Sequence, residues 1–164
     1  WEDRYDMAAF CLANGADPNA NNSHYIHHTL SKKNMPMLEL LMAHGGDANR
    51  GLVWAAQRPD VSTVQFFLSH GADSKADKRM ALMMACVYGH EEIFDLLYPL
   101  SECDPEQLME DIQKNTSGLN QKALHLIARE CAKRQQQLLR ETVDQAEHTK
   151  DKEENFSVKR RRKM

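Results

Sequence analysis

Three histidines within five residues, His24, His27 and His28, form the first group in this 164-residue sequence with the chemistry to hold a transition metal. His90-Glu91-Glu92 looks like the opening of a zinc-hydrolase helix. Neither becomes a site. Zinc needs three or four convergent ligands, and the second histidine of an HExxH helix would fall where Phe94 stands. The four cysteines, Cys11, Cys86, Cys103 and Cys131, are widely spaced and form no CxxC pair, which argues against a structural zinc site and a disulfide framework. None has both a nearby base and an electropositive loop, as a nucleophile requires. Cys11, Cys86 and Cys131 lie among apolar helical residues and are expected as small core residues. With no glycine-rich phosphate loop either, no catalytic residue, metal or cofactor is expected, and the chain is not expected to be an enzyme.

The elements that position these residues recur. FCLANGADPN (Phe10 to Asn19), LLMAHGGDAN (Leu40 to Asn49) and FFLSHGADSK (Phe66 to Lys75) are each an apolar helix end followed by Gly, a small residue and Asp. Gly15, Gly45 and Gly71 fall where a helix closes into a left-handed residue, a state that glycine enters without a Cβ penalty. Asp17, Asp47 and Asp73 are then placed to hold the next turn through their carboxylates. Upstream, an apolar residue of a first helix precedes one of a second by twelve positions: Ile26 to Leu38, Leu52 to Val64, Leu82 to Phe94. From Leu38 to Gly45 and from Val64 to Gly71 the step is seven. Such fixed spacings predict helical hairpins that cannot bury their apolar stripes singly and so stack.

These segments resemble the ankyrin repeat. The best match is MALMMACVYGHEEIFDLL, Met80 to Leu97, with Leu82, Ala85, Cys86, Gly89, His90, Glu92, Ile93, Leu96 and Leu97 on the family's positions or as close substitutes. GLVWAAQRPDVSTVQFFLSHGAD, Gly51 to Asp73, is a second, and HYIHHTLSKKNMPMLELLMAHGGD, His24 to Asp47, matches well in its second helix. The resemblance covers about Asp6 to Leu100. It implies an all-α helical solenoid in which Gly89 is a further turn glycine, His24 and His27 bond locally, and Trp54 and Met84 pack between repeats. In the family the two variable positions after the Ala-Ala pair face the concave surface and contact partners. Here they are Ser31 and Lys32, Gln57 and Arg58, and Val87 and Tyr88. The loop from Gly to the next first helix is shorter than the family's: eleven steps from Gly15 to Ile26 and from Gly71 to Leu82, seven from Gly45 to Leu52. Binding through projecting fingers is thereby disfavoured against binding along the inner helices, with Arg50 and Arg79 in the short turns beside them.

After Leu100 the repeat decays. Asp104-Pro105-Glu106 reads as an N-cap, a proline at the first helical position and an acid in the first turn, predicting a helix from Pro105 to Lys114. Asn115 to Asn120 reads as a turn with Gly118 left-handed. A polar helix is expected from Gln121 to Glu147, opened by ALHLIA, Ala123 to Ala128, which echoes the repeat's first helix. The expected divisions are residues 1–100 for the repeats, 101–148 for a helical cap, and 149–164 for a basic tail without structure. Residues 133–164 carry ten Lys or Arg against six acids, a net +4, so the total of −3 leaves −7 on the repeats. The cluster Lys159, Arg160, Arg161, Arg162 and Lys163 is of a kind read by nuclear import receptors or drawn to nucleic-acid phosphates.

The expected function is a protein-interaction module that holds a macromolecular partner, protein in the first place, with nucleic acid only through the tail. The alternative is a recruiting arm of a larger enzyme, since the chain opens at Trp1 on a half repeat and a longer polypeptide is expected. The truncated, divergent hairpins also resemble those of effector proteins from intracellular bacteria, which would place the protein in a host cell. Cysteine usage fits a reducing compartment, cytoplasmic or nuclear. The longest apolar runs fall far short of the roughly 20 residues that span a bilayer.

Overall fold

Residues 2–116 and 120–161 are described by a computed structural model. Among them there are nine helices and no strand: α1 (Glu2–Ala13), α2 (Ala20–Ser31), α3 (Met35–Ala43), α4 (Ala48–Ala56), α5 (Val61–Ser69), α6 (Ala76–Tyr88), α7 (Glu91–Ser101), α8 (Pro105–Asn115) and α9 (Gln121–Arg161). The chain divides into two compact units, Trp1–Leu126 and Ile127–Met164, with α9 running through the division.

In the first unit the hairpins α2–α3, α4–α5 and α6–α7 stack in chain order. The first helices pack side by side, α4 between α2 and α6, and α8 follows on α6. The residues spaced twelve apart form the seams. Ile26, Leu38, Leu52, Val64, Leu82 and Phe94 are all essentially inaccessible to solvent. Small residues let the first helices approach closely, with Ala55, Ala56, Ala81 and Ala85 buried. Gly51 goes further: a Cβ there would lie 2.5 Å from Cζ and 2.6 Å from Cδ1 of Phe67, so α4 meets α5 at a distance only glycine allows. At about 25 cal/mol per Å² of apolar surface removed from water, this contiguous core is the main stabilising term, and no hairpin assembles it alone.

Each turn has a stated cause. Gly15, Gly45 and Gly71 directly follow the closing turns of α1, α3 and α5 at φ +89°, +85° and +84°. The aspartates two residues on accept backbone hydrogen bonds: Asp17 from Asn19 N at 2.8 Å, Asp47 from Arg50 N at 3.0 Å and Asp73 from Lys75 N at 2.9 Å. Asp47 thereby caps α4, Asn34 caps α3 through Met37 N, and Asp60 caps α5 through Thr63 N. The third hairpin departs from the pattern. α7 runs to Ser101 and closes on Glu102, a non-glycine residue at φ +48°. The start of α2 is also irregular, with Asn21, Asn22 and Ser23 at φ 53–60° ahead of its regular turns. Asparagine tolerates this state better than most residues.

The predicted helix at Pro105 is α8, ending at Asn115 with Thr116 extended. The expected left-handed Gly118 lies outside the described residues. α9 does not stop near Glu147 but continues to Arg161, so the segment from residue 149, expected without structure, is helical up to there. The stretch from Gln121 to Arg161 has no Gly or Pro and is rich in Gln, Lys, Arg and Glu, all good helix formers. Within the second unit, Glu130 accepts from Lys133 at 2.7 Å and pairs with Arg129 at 3.3 Å, while Leu138, Leu139 and Val143 are exposed.

Candidate functional site

The six residues at the variable positions fall at the C-terminal ends of the first helices. Ser31 ends α2 and Lys32 caps it, Gln57 caps α4 with Arg58 next, and Val87 and Tyr88 end α6. Two of them are joined. Arg58 Nη2 donates to Ser31 Oγ at 2.9 Å, and Nη1 donates to the Leu30 carbonyl at 3.3 Å. The guanidinium thus sits on the last turn of the preceding first helix, where the macrodipole favours a cation. Tyr88 is half-exposed and its ring lies parallel to that of His90, centroids 6.0 Å apart. Lys32 is exposed; Gln57 and Val87 are partly covered.

Arg50 and Arg79 are not part of this row. Arg50 lies in the first turn of α4, at the opposite end of the helix from Arg58, and donates to Asn22 Oδ1. Arg79, in the first turns of α6 at φ +62°, forms an ion pair with Asp111 of α8 at 2.6 Å. Asp111 also accepts from Gln107 at 3.1 Å. Arg79 therefore ties α6 to α8, an internal role in place of the expected partner contact.

The chemistry-bearing residues resolve the same way. His27 packs edge-on against Trp54 of the next first helix at 5.2 Å. Burial, then the neighbouring Arg58, His24 and His28, hold its pKa below the usual histidine value. Trp54 is accordingly an inter-repeat packing residue. Among the described residues no group of three His, Cys, Asp or Glu is placed to hold a metal. His70, the cap of α5, bonds the Phe66 carbonyl through Nδ1 at 2.8 Å. Cys86 is fully buried, its thiol facing the Ala123 carbonyl at 3.6 Å, and burial pushes its pKa up to about 12. Of the three cysteines expected in the core only Cys86 is buried: Cys11 is exposed and Cys131 partly covered. Lys159, Arg160 and Arg161 lie in the last turn of α9, while Arg162 and Lys163 fall outside the described residues. No described helix is long and apolar enough to cross a membrane.

Two sets of residues that spacing alone did not single out join the repeats. Asn19 accepts from Asp47 N at 2.7 Å and donates to the Gly45 carbonyl at 2.9 Å, and Asn49 accepts from Asp73 N at 2.7 Å. Both stand four residues after a turn glycine, and that register was the available signal. The third equivalent, Lys75, instead meets Glu102 at 2.8 Å. At the far end of the stack, Asn120 donates to the Val87 carbonyl at 2.8 Å and Lys122 Nζ to the Tyr88 carbonyl at 3.2 Å.

Compared with protein-family models, residues 26–109 match the one described as ankyrin repeats (3 copies), just over half of the chain. Comparison with curated proteins and with solved structures found no match.

Proposed function

We propose that this chain, which belongs to the ankyrin-repeat family, holds a protein partner along the row formed by Lys32, Arg58 and Tyr88. Ankyrin repeats are generally protein-interaction modules and typically not catalysts, so the class follows from the family and the surface is our reading. The observation that carries it is register. Lys32, Arg58 and Tyr88 each stand six residues after Ile26, Leu52 and Leu82, the buried seam residues of successive first helices. Side chains at one register on stacked helices line one side of the stack, and these offer an ammonium, a guanidinium and a half-exposed phenol. Aromatic and guanidinium groups supply much of the energy at protein interfaces.

Because Arg58 also bonds Leu30 and Ser31, its removal would mix folding with binding. Tyr88→Ala combined with Gln57→Ala is the cleaner perturbation. Affinity capture with wild type and double variant, quantified by mass spectrometry, should show the same partner depleted at least about tenfold, the loss of one anchor worth about 1.4 kcal/mol. Equal recovery, with an unchanged thermal melt, would remove this row as the binding surface.

A further inference from the structure

The row of Lys32, Arg58 and Tyr88 has a fourth member. α8 stands beside α6 and α9 follows it in the chain. Lys122, the second residue of α9, reaches back to α6, its Nζ donating to the Tyr88 carbonyl at 3.2 Å. Its stem crosses Gly89, where a Cβ would come within 2.5 Å of Lys122 Cδ. Arg58 makes the same move earlier in the stack, from just after α4 onto the Leu30 carbonyl in the last turn of α2. Each cation rests on the negative end of the first helix before it. Tyr88 stands at the register of Arg58, so the order along the row is ammonium, guanidinium, phenol, ammonium.

These cations are held in place with donors to spare. Arg58 commits two of its five N–H donors, and Lys122 one of its three. Lys32 and Lys122 are exposed and Arg58 is partly covered. Among the described residues none of the three pairs with a carboxylate, in contrast to Lys75, Arg79 and Lys114. Residues 1–126 carry ten Lys or Arg against seventeen acids, so three unneutralised cations in one line are a local exception.

The period of the row selects what fits it. Helices packed side by side stand about 8–10 Å apart. A polyproline II chain places every third side chain on one face and rises about 9.3 Å over those three residues. A pleated strand puts its third residue on the opposite face, and an α-helix meets the period only at every seventh residue, over about 10.5 Å. A polyproline II backbone also leaves its N–H and C=O groups unused, and the Gln57 amide beside Arg58 offers both a donor and an acceptor to them.

We propose that the row binds an acidic segment of a partner protein in the polyproline II conformation. Carboxylates three residues apart meet Lys32 and Arg58, an apolar side chain three further on lies against Tyr88, and a third carboxylate three beyond that meets Lys122. The occupant follows only if the row is the binding surface proposed above. A nucleic-acid strand is the poorer match, since a phosphate at every nucleotide sets further negative charge against an acid-rich unit.

The test uses fluorescent proline-rich peptides of about ten residues, with Glu at the first, fourth and tenth positions and Leu at the seventh. They are made in that order and in reverse, because spacing fixes no chain direction, and a control of equal composition gathers its three Glu at one end. By anisotropy, one of the two orders should bind at least about tenfold more tightly than the control. Lys32→Glu with Lys122→Glu should abolish that advantage and transfer it to a peptide carrying Lys at the first and tenth positions. Equal binding of the control, or a preference that survives the charge reversal, would overturn the proposal. So would tighter binding of an α-helical peptide with Glu at every seventh residue, or of a single-stranded oligonucleotide. Capture of the cellular partner separates this inference from the row itself. Loss in Tyr88→Ala with Gln57→Ala but not in Lys32→Glu with Lys122→Glu would leave the row standing and overturn its acidic occupant, whereas retention in both would remove the row and the occupant together. Should Lys122→Glu fail to fold, Lys32→Glu alone, at an exposed residue, decides through the peptide with Lys at the matching end.

Discussion

Gly51→Ala sets two physical effects against each other, and the structure decides the sign. In a helix interior, replacing glycine by alanine ordinarily stabilises by about 1 kcal/mol, because alanine loses less backbone entropy. Here the new methyl would stand 2.5 and 2.6 Å from ring carbons of Phe67, where unstrained carbon contacts lie at about 3.5–4.0 Å. The ring would have to retreat by about 1 Å, and as it is fully buried it has no solvent to move into. Overpacking of this kind costs about 1–3 kcal/mol. The buried ring places it near the upper end, so we expect a net loss of about 2 kcal/mol. That corresponds to about 4–8 °C in Tm for a protein of this size. Urea and thermal denaturation followed by circular dichroism would measure it. Phe67→Leu should then be partly rescued in the Gly51→Ala background, with a coupling of about 1 kcal/mol in the double-mutant cycle. A Tm that stays level or rises in Gly51→Ala would refute the claim that α4 and α5 touch through this glycine.

Asn19→Ala removes two hydrogen bonds between adjacent turns and should cost about 1–2 kcal/mol in urea unfolding; Asn49→Ala, losing one, should cost about half as much. Hydrogen bonds from Ser62 and then Thr63 hold the Asp60 carboxyl below its ordinary value of 3.8. The folded form therefore favours the charged state, and this contribution is complete above the ordinary carboxylate range and lost as pH falls through the lowered value. The stability gap between wild type and Asp60→Ala should accordingly be widest near neutral pH and close on acidification. Cys86, buried with its thiol pushed up to about 12, should resist a thiol reagent at mildly alkaline pH until the protein unfolds, while exposed Cys11 reacts at once; labelling followed by peptide mass mapping would show the order.

The repeat was legible because its signals are local. Glycine at a left-handed position, an aspartate two residues on, and apolar residues twelve apart are set by backbone sterics and helical period, and all three lie within one hairpin. What escaped the sequence depends on what a side chain meets in the next hairpin. Arg79 and Tyr88 both stand on α6 and both read as surface candidates, yet Arg79 is occupied by Asp111, 32 residues further on. The amides of Asn19 and Asn49 bond the backbone of the following turn, 24 to 28 residues further on, which no local pattern displays. Cys11 has the apolar neighbours of a core residue yet is exposed on α1. The expected end of α9 near Glu147 has no Gly, Pro or competing cap behind it, and a run of Lys, Glu, Gln and Arg without one continues as helix to Arg161.

The bridges between turns change character along the stack. Two are made by neutral amides, and the third is an ion pair whose side chains are 44% and 74% exposed. Amide bridges are indifferent to dissolved salt, whereas an exposed ion pair is worth at most about 1 kcal/mol and is screened away. Raising ionic strength therefore loosens one joint selectively, between α6 and the segment after α7. In brine the junction made by Lys75 and Glu102 should weaken by at most about 1 kcal/mol, while those made by Asn19 and Asn49 keep their strength.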